Sequence, residues 1–362
     1  MRAFTCKQCH ELAPFECFTC PRCGVALGFD PVSGTLELLS GGAARARCVQ
    51  SDAAFCNWLL PASETGTKCR SCQLTRTPLP PKAHTEHRAA FAKAEMAKRR
   101  LMFQIGELGL PVVSREEDPD HGLAFDLLAS DHRVVTGHDN GVITIDLNET
   151  DDAFREQTRA QFREPYRTLL GHFRHEIGHY YWRQLILGEA KRPGAGGPSL
   201  LDEARALFGD ERADYRAARE NHYTHGPGRD WSDNHVSAYA AMHPLEDWAE
   251  TFAHYLHIHD TVQTASSHGV LVTGPVDDRT GRRDPAKAAV PSEDTVWEEG
   301  FQAVIADWLP LTVALNALNR SLGKDDLYPF ELSPAVVSKL AFVHKAIGTW
   351  RLRLGQLEPV PG

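Results

Sequence analysis

The sequence lacks long hydrophobic runs, an apolar leader and internal repeats. No stretch of 18 consecutive apolar residues occurs, which argues against a membrane-spanning helix. The first residues, MRAFTCKQCHE, lack the apolar core of a secretory signal. With 42% hydrophobic and 24% charged residues, the 362-residue chain has the composition of a globular protein of one large or two modest domains. We expect a cytoplasmic protein without membrane contact.

Cysteine is missing from the whole chain after residue 72. All nine cysteines precede that point, and six of them form CxxC pairs. The pairs are Cys6/Cys9, Cys20/Cys23 and Cys69/Cys72. In a reducing compartment such pairs more often bind metal than form disulfides. The N-terminal part of the chain is therefore a candidate for structural metal sites.

Charge divides the chain in the same way. Residues 1–100 contain 14 Lys+Arg against 8 Asp+Glu, a net charge of +6. Because the whole chain has a net charge of −9, the remaining residues carry −15. The stretch Thr75 to His84 contains three prolines, which prevent a continuous helix and indicate a linker. We place a domain boundary near residue 85, between a zinc-ribbon region of residues 1–85 and a second domain of residues 86–362.

Two sets of four cysteines are candidate zinc sites. Four thiolates close a tetrahedron around zinc and leave no open position, so these sites are predicted to be structural. The first set is Cys6, Cys9, Cys20 and Cys23; the second is Cys48, Cys56, Cys69 and Cys72. For the second set the alternative is that Cys48 and Cys56 are simply buried small hydrophobes. Cys17 remains as a free thiol.

The second domain is expected to be mainly helical, with a small antiparallel sheet, giving an α+β fold. Helical spacing of apolar residues begins at His87, and two β-rich runs meet at Asn140-Gly141, a strong hairpin signal. From Thr150 onward the pattern is helical, except for a Gly- and Pro-rich stretch from Thr264 to Pro291 that predicts a long loop. That loop is a candidate lid over a site.

The pentapeptide His175-Glu176-Ile177-Gly178-His179 fits HExxH within a predicted helix. This spacing puts two imidazoles one turn apart on one face, beside a glutamate. A third histidine, His172, is about 10 Å from His179 along the helix axis, too far for both to share one ion. We therefore expect His175 and His179 to be metal ligands and His172 to support or pack.

A catalytic zinc with two histidines needs a third protein ligand and an open position for water. The segment from His243 to His257 is predicted to be a helix with an apolar face. The opposite face carries acids and histidines, and the bland alternative is that it is solvated. The residues of that face are His243, Glu246, Asp247, Glu250, His254 and His257.

These segments together resemble the bacterial zinc-binding metallopeptidases that carry an N-terminal zinc ribbon. The likeness rests on HFRHEIGHYYW, on HPLEDWAETFAHYLH downstream and on the cysteine knuckles, and it extends over nearly the whole chain. More broadly, HExxH followed by a helix with an xFAExF-like segment is similar to gluzincin-type zincins. The resemblance implies that Glu250 is the third zinc ligand, in preference to Glu246 or Asp247.

The first hypothesis is a zinc-dependent metallopeptidase acting on a peptide or protein substrate. A metal-activated water would attack the peptide bond with Glu176 as general base, on a catalytic zinc held by His175, His179 and Glu250. Tyr239 and His243 are candidates for the donor to the oxyanion. Including one or two structural zincs, we expect two or three zinc ions.

Two alternatives stay open at this stage. The basic ribbon region is a candidate for docking on protein or nucleic acid, with a structural or inactive C-terminal metal site. HExxH chemistry concerns a carbonyl, so hydrolysis of a non-peptide amide fits the same residues.

Overall fold

The computed structural model describes residues 2–39, 44–80, 83–129, 134–162, 164–188, 199–272 and 300–356. These residues form an α+β protein with two compact units. The first unit extends to residue 107 and includes residues 112–173; the second contains residues 108–111 and the chain from residue 174 onward. Most of the predicted lid loop, residues 273–291, lies outside the described ranges.

The N-terminal region of the first unit is built from three antiparallel strand pairs. The pairs are β1 (Phe4–Thr5) with β2 (Leu12–Ala13), β3 (Leu27–Asp30) with β4 (Thr35–Leu38), and β5 (Arg45–Arg47) with β6 (Leu59–Pro61). A short helix, α1 (Arg70–Gln73), follows the last pair. Strands this short cannot bury a large core of their own, so other contacts must hold them.

An aromatic cluster supplies one such contact. Phe4, Phe15 and Phe29 pack on Phe103 of helix α2 (Thr85–Glu107), with ring centroids 5.1 to 5.7 Å from that of Phe103. Aromatic pairs at this spacing are favourable beyond their buried area. Helix α2, predicted to open the second domain, thus belongs to the same compact unit as the ribbon strands.

The start of the predicted linker is also held within the first unit. Thr75 is buried and pairs with Phe125, and the backbone N–H of Arg76 donates to the Phe125 carbonyl at 3.0 Å. Phe125 lies in a strand at the edge of its sheet. The backbone N–H and C=O groups along such an edge are available to pair with another segment, here the one that contains Thr75. Residues 81 and 82 of the same stretch lie outside the described ranges.

A three-stranded sheet in the order β7-β9-β8 completes the first unit. β8 (Gly137–Asp139) and β9 (Val142–Asp146) form the predicted hairpin, with Asn140 and Gly141 at φ of 46° and 89°. Positive φ at both central residues is what a tight hairpin turn requires. β7 (Ala124–Leu128) adds a parallel neighbour to this antiparallel pair.

Helices build the rest of the chain, as the sequence predicts. In chain order they are α3 (Asp152–Phe162), α4 (Leu169–Tyr181), α5 (Leu200–Phe208), α6 (Tyr215–His225), α7 (Trp231–Asn234), α8 (Pro244–Ser267), α9 (Phe301–Ser321) and α10 (Pro334–Gln356). A π-helical segment, Trp182–Leu187, continues α4, and a 3₁₀ turn, Ala240–Met242, precedes α8. The division between the two units falls inside α4, after Phe173.

Helix α8 lies at the centre of the second unit. Its Trp248 is fully buried against Trp182 and Phe208 and donates from its indole N–H to the Gly178 carbonyl at 2.8 Å. Gly178 permits a close approach of α4 to α8, because a Cβ there would stand 3.0 Å from the Ala249 Cα. The contact brings the HExxH face of α4 against the acidic face of α8.

Helix α9 is long and apolar enough to cross a membrane, with a mean hydropathy of 1.4 over 18 residues. In the second unit it contacts α8 and α10, and 44% of that window is buried. Core helices of globular proteins meet the same criteria, so this helix is weak evidence for a membrane segment. The expected cytoplasmic location stays a prediction.

Candidate metal centres

Each predicted cysteine set converges on one point. The described residues form clusters of Cys6, Cys9, Cys20 and Cys23 and of Cys48, Cys56, Cys69 and Cys72. Sulfur atoms 3.8 Å (Cys6 and Cys23) and 3.6 Å (Cys9 and Cys20) apart match the separation of about 3.8 Å that Zn–S bonds of 2.3 Å impose in a tetrahedron. Both clusters fit structural zinc, and Cys17 belongs to neither.

The two clusters differ in their surroundings. Cys23 is exposed, and backbone N–H groups of Cys23 and Arg22 help lower the pKa of the Cys20 thiol to about 6 despite desolvation. All four members of the second cluster are buried. Beneath them, α2 carries a buried ion pair between Lys98 and Glu95 at 2.9 Å. The first cluster is thus open to solvent at one ligand and the second is enclosed.

A third group of candidate ligands lies where α4 meets α8. The Oε2 atom of Glu246 is 3.0 Å from Nε2 of His175 and 3.5 Å from Nε2 of His179. Bonds of about 2.05 Å to a tetrahedral zinc would place such ligand atoms about 3.3 Å apart. The donor set of two imidazoles and one carboxylate therefore fits zinc with one coordination position left for water.

Glu250, the third ligand that the resemblance implies, faces Nδ1 of His175. Its Oε1 accepts a hydrogen bond from Nδ1 of His175 at 2.7 Å, and its Oε2 accepts one from the Ser237 hydroxyl at 2.6 Å. Desolvation raises the pKa of this carboxyl, but the interactions with His175 and Ser237 outweigh it and bring the pKa to about 2. Glu250 lies beside His175 and outside the converging group.

Glu176 lies in the same buried region as an acid with a raised pKa. Burial is the largest cause, and the charges of Glu246 and Glu250 add to it, whereas His175 and His179 oppose it. Among the described residues, none donates a hydrogen bond to its carboxylate. A buried carboxylate without a hydrogen-bond donor is suited to accept a proton.

His243, a predicted oxyanion donor, lies at the start of α8 with both ring nitrogens engaged. As the N-cap of α8 it accepts a hydrogen bond at Nδ1 from the Leu245 backbone N–H, at 3.1 Å. Its Nε2 donates to the Ala213 carbonyl at 3.0 Å. Both ring nitrogens are engaged and the side chain is buried, so His243 has no N–H to offer a substrate.

Two tyrosines face the site. The ring of Tyr239, a predicted oxyanion donor, lies 5.8 Å from that of His175. The hydroxyl of Tyr215 donates to Oε1 of Glu246 at 2.8 Å. Sequence reasoning missed Tyr215, because α6 has no buried face to orient it, and Ser237, because it lies in a connecting segment before the 3₁₀ turn. Only the cap residue Asp214 before Tyr215 was a signal.

The remaining histidines of the two helices have other partners. His172 lies 3.5 Å from Glu149 in the first unit, and its supporting role stays a prediction. His254 bonds the Tyr328 hydroxyl at 2.6 Å, and burial lowers its pKa to about 4. His257 contacts Arg174 at 2.7 Å. None of these three histidines belongs to the converging group of His175, His179 and Glu246.

Comparison with known proteins supports zinc binding by this chain. Residues 87–346 match the family described as "putative zinc-binding metallo-peptidase", and residues 3–84 match a zinc-ribbon domain. Uncharacterized proteins of Mycobacterium bovis and Mycobacterium tuberculosis are 47% identical over 348 residues, which cover 96% of this chain and 95% of theirs. No solved structure matches the chain. The chain belongs to this zinc-binding metallo-peptidase family and carries its zinc ribbon at the N-terminus.

Proposed function

We propose that the chain is a zinc-dependent peptidase whose catalytic site lies between α4 and α8. The observation that carries the proposal is the convergence of Nε2 of His175, Nε2 of His179 and Oε2 of Glu246 beside the buried Glu176. Three protein ligands with an adjacent carboxylate are typical of hydrolytic zinc sites, whereas structural sites use four.

Glu246, rather than Glu250, is proposed as the third ligand. Of these two acids, Glu246 is the one that faces the Nε2 atoms of both histidines. Glu250 accepts the Nδ1–H of His175, which fixes the tautomer with the Nε2 lone pair directed towards the ion. The resemblance to gluzincins pointed to Glu250. Because Glu250 lies one helical turn after Glu246, one acid can bind the ion while the other orients His175.

Zinc bound there supplies Lewis acidity, which polarises a carbonyl and lowers the pKa of a water. Glu176 accepts the proton of the attacking water and delivers it to the leaving amine. Its raised pKa favours the first step, because a more basic carboxylate accepts the proton of water more readily. Tyr239 is the proposed donor to the oxyanion, since its side chain adjoins His175.

The ribbon region is proposed to scaffold the chain. Phe4, Phe15 and Phe29 are buried in the aromatic cluster with Phe103, so they are not displayed for stacking on bases. Docking of the basic region on protein or nucleic acid stays a prediction. Hydrolysis of a non-peptide amide also fits the site, because the chemistry needs only a carbonyl.

The test is Glu176→Gln in the full-length chain, assayed on a peptide library by mass spectrometry. We expect a fall in kcat of about 10² to 10⁴-fold, because general-base catalysis is lost while the zinc ligands stay. Glu156→Gln, on the surface of α3, is the matched control and should cleave normally. Unchanged cleavage by Glu176→Gln, at native zinc content, would remove Glu176 from the mechanism.

A further inference from the structure

The two oxygens of Glu246 have different partners. Oε2 faces the imidazoles of His175 and His179, at 3.0 and 3.5 Å. Oε1 accepts a hydrogen bond from the Tyr215 hydroxyl at 2.8 Å. The carboxylate is buried, so water does not compete freely for Oε1. A hydrogen bond to a buried charged group is stronger than one between neutral groups.

The position of Tyr215 follows from several contacts of its own helix. Asp214 caps α6 by accepting from the Ala217 N–H at 3.0 Å, which sets where the helix begins. His243 donates to the carbonyl of Ala213, just before that cap, and its ring lies 5.1 Å from the Tyr215 ring. Because His243 also caps α8, one side chain ties the start of α6 to the helix that carries Glu246.

We propose that Tyr215 is a positioning residue for the metal ligand Glu246. By occupying Oε1 it presents Oε2 alone to the ion and disfavours two-oxygen coordination. Two-oxygen coordination would fill the position that hydrolysis needs open for water. The proposal rests on the proposed function to the extent that Glu246 is taken as a ligand.

Tyr215 touches a proposed metal ligand and is not placed at the reacting atoms, so it acts through Glu246. Loss of its hydroxyl should affect metal binding first and kcat second, with little change in KM.

The test uses cobalt as a spectroscopic probe in the full-length protein. Thiolates favour zinc over cobalt, so zinc added first fills the cysteine clusters and Co²⁺ then titrates the site between α4 and α8. Partners that orient metal ligands typically change metal affinity by about 10 to 100-fold when removed. We expect Tyr215→Phe to weaken Co²⁺ binding by a factor in this range and to shift its visible absorption bands.

Tyr223→Phe is the matched control, because Tyr223 lies on the same helix and is exposed. It should bind Co²⁺ as the native chain does. Tyr215→Leu, which also removes the ring, should match Tyr215→Phe. Native affinity and native bands in Tyr215→Phe would overturn the proposal, and so would a defect confined to Tyr215→Leu, since packing alone would then be responsible.

The outcomes also separate this proposal from the proposed function. A chain that cleaves no peptide, but whose Tyr215→Phe variant shows the altered cobalt site, loses the peptidase assignment and keeps the positioning role. A chain that cleaves peptides with an unaltered cobalt site in Tyr215→Phe keeps the activity and loses the positioning role.

Discussion

The cysteine clusters and the site between α4 and α8 differ in how many candidate ligands they have and in where along the chain those ligands come from. In the clusters four sulfurs take every coordination position, and the ligands come from short knuckles close in sequence. In the helix site the three proposed ligands would leave one position free, and they come from two helices, with Glu246 71 positions after His175. The difference teaches that ligand number and origin, more than the metal itself, distinguish the cysteine clusters from the proposed catalytic site.

The surroundings follow the same division. The second cysteine cluster is entirely buried, and the first exposes only Cys23 fully. At the helix site a buried acid, Glu176, stands next to the ligands. A carboxylate that can exchange a proton serves general acid–base catalysis of hydrolysis. It has no such role at a metal whose four coordination positions are all taken by thiolates.

The largest expected effect comes from breaking the enclosed cluster. Cys56→Ser should lose one zinc and unfold its ribbon, because structural zinc contributes about 10 kcal/mol or more to folding in small zinc modules. Cys23→Ser, at the exposed ligand of the first cluster, should weaken its zinc while retaining part of it, since water can replace the lost sulfur. Zinc content measures both variants, together with hydrogen exchange of residues 44–74 for Cys56→Ser and of residues 2–39 for Cys23→Ser.

The contrast between these two variants is itself a control. If Cys23→Ser and Cys56→Ser lose zinc to the same extent, solvent access does not distinguish the clusters. If Cys56→Ser keeps all its zinc, then Cys48 and Cys56 are buried small side chains, as the sequence alone allowed.

A smaller effect is expected at the helix contact. Gly178→Ala places a methyl group 3.0 to 3.2 Å from Ala249 and Phe252, so α4 and α8 must separate slightly. We expect a loss of about 1 to 3 kcal/mol in the free energy of unfolding, together with weaker metal binding at the helix site. Gly226→Ala tests the opposite case, a glycine at φ 76° with open space around it. Its cost should be backbone strain alone, leaving metal affinity unchanged.

Much of this architecture was predictable because its signals are local. CxxC spacing identified the first cysteine cluster and half of the second, to which Cys48 and Cys56 were added as remaining upstream cysteines. Asn140-Gly141 identified the hairpin, and HExxH placed His175 and His179 on one helical face. The parallel pairing of β7 with β9 was not predictable, because it depends on contacts distant in sequence. The packing of α2 with the ribbon strands was missed for the same reason, since proline content marks a break in a helix and not in tertiary contacts.

The choice between Glu246 and Glu250 shows where sequence reasoning stopped. One helical turn separates the two acids, so both lie on the face turned towards α4. Which one meets the Nε2 atoms depends on how far α8 is shifted along α4, and the contact of Gly178 with Ala249 sets that shift. No periodic pattern encodes it.

Metal analysis of three full-length proteins tests the central claim most directly. We expect about three zinc ions per chain in the native protein, two in the cysteine clusters and one in the helix site. Glu246→Ala should retain about two zinc ions because it removes a ligand, whereas Glu250→Ala should retain about three with lower affinity for the third. Retention of the third zinc in Glu246→Ala and its loss in Glu250→Ala would contradict the account.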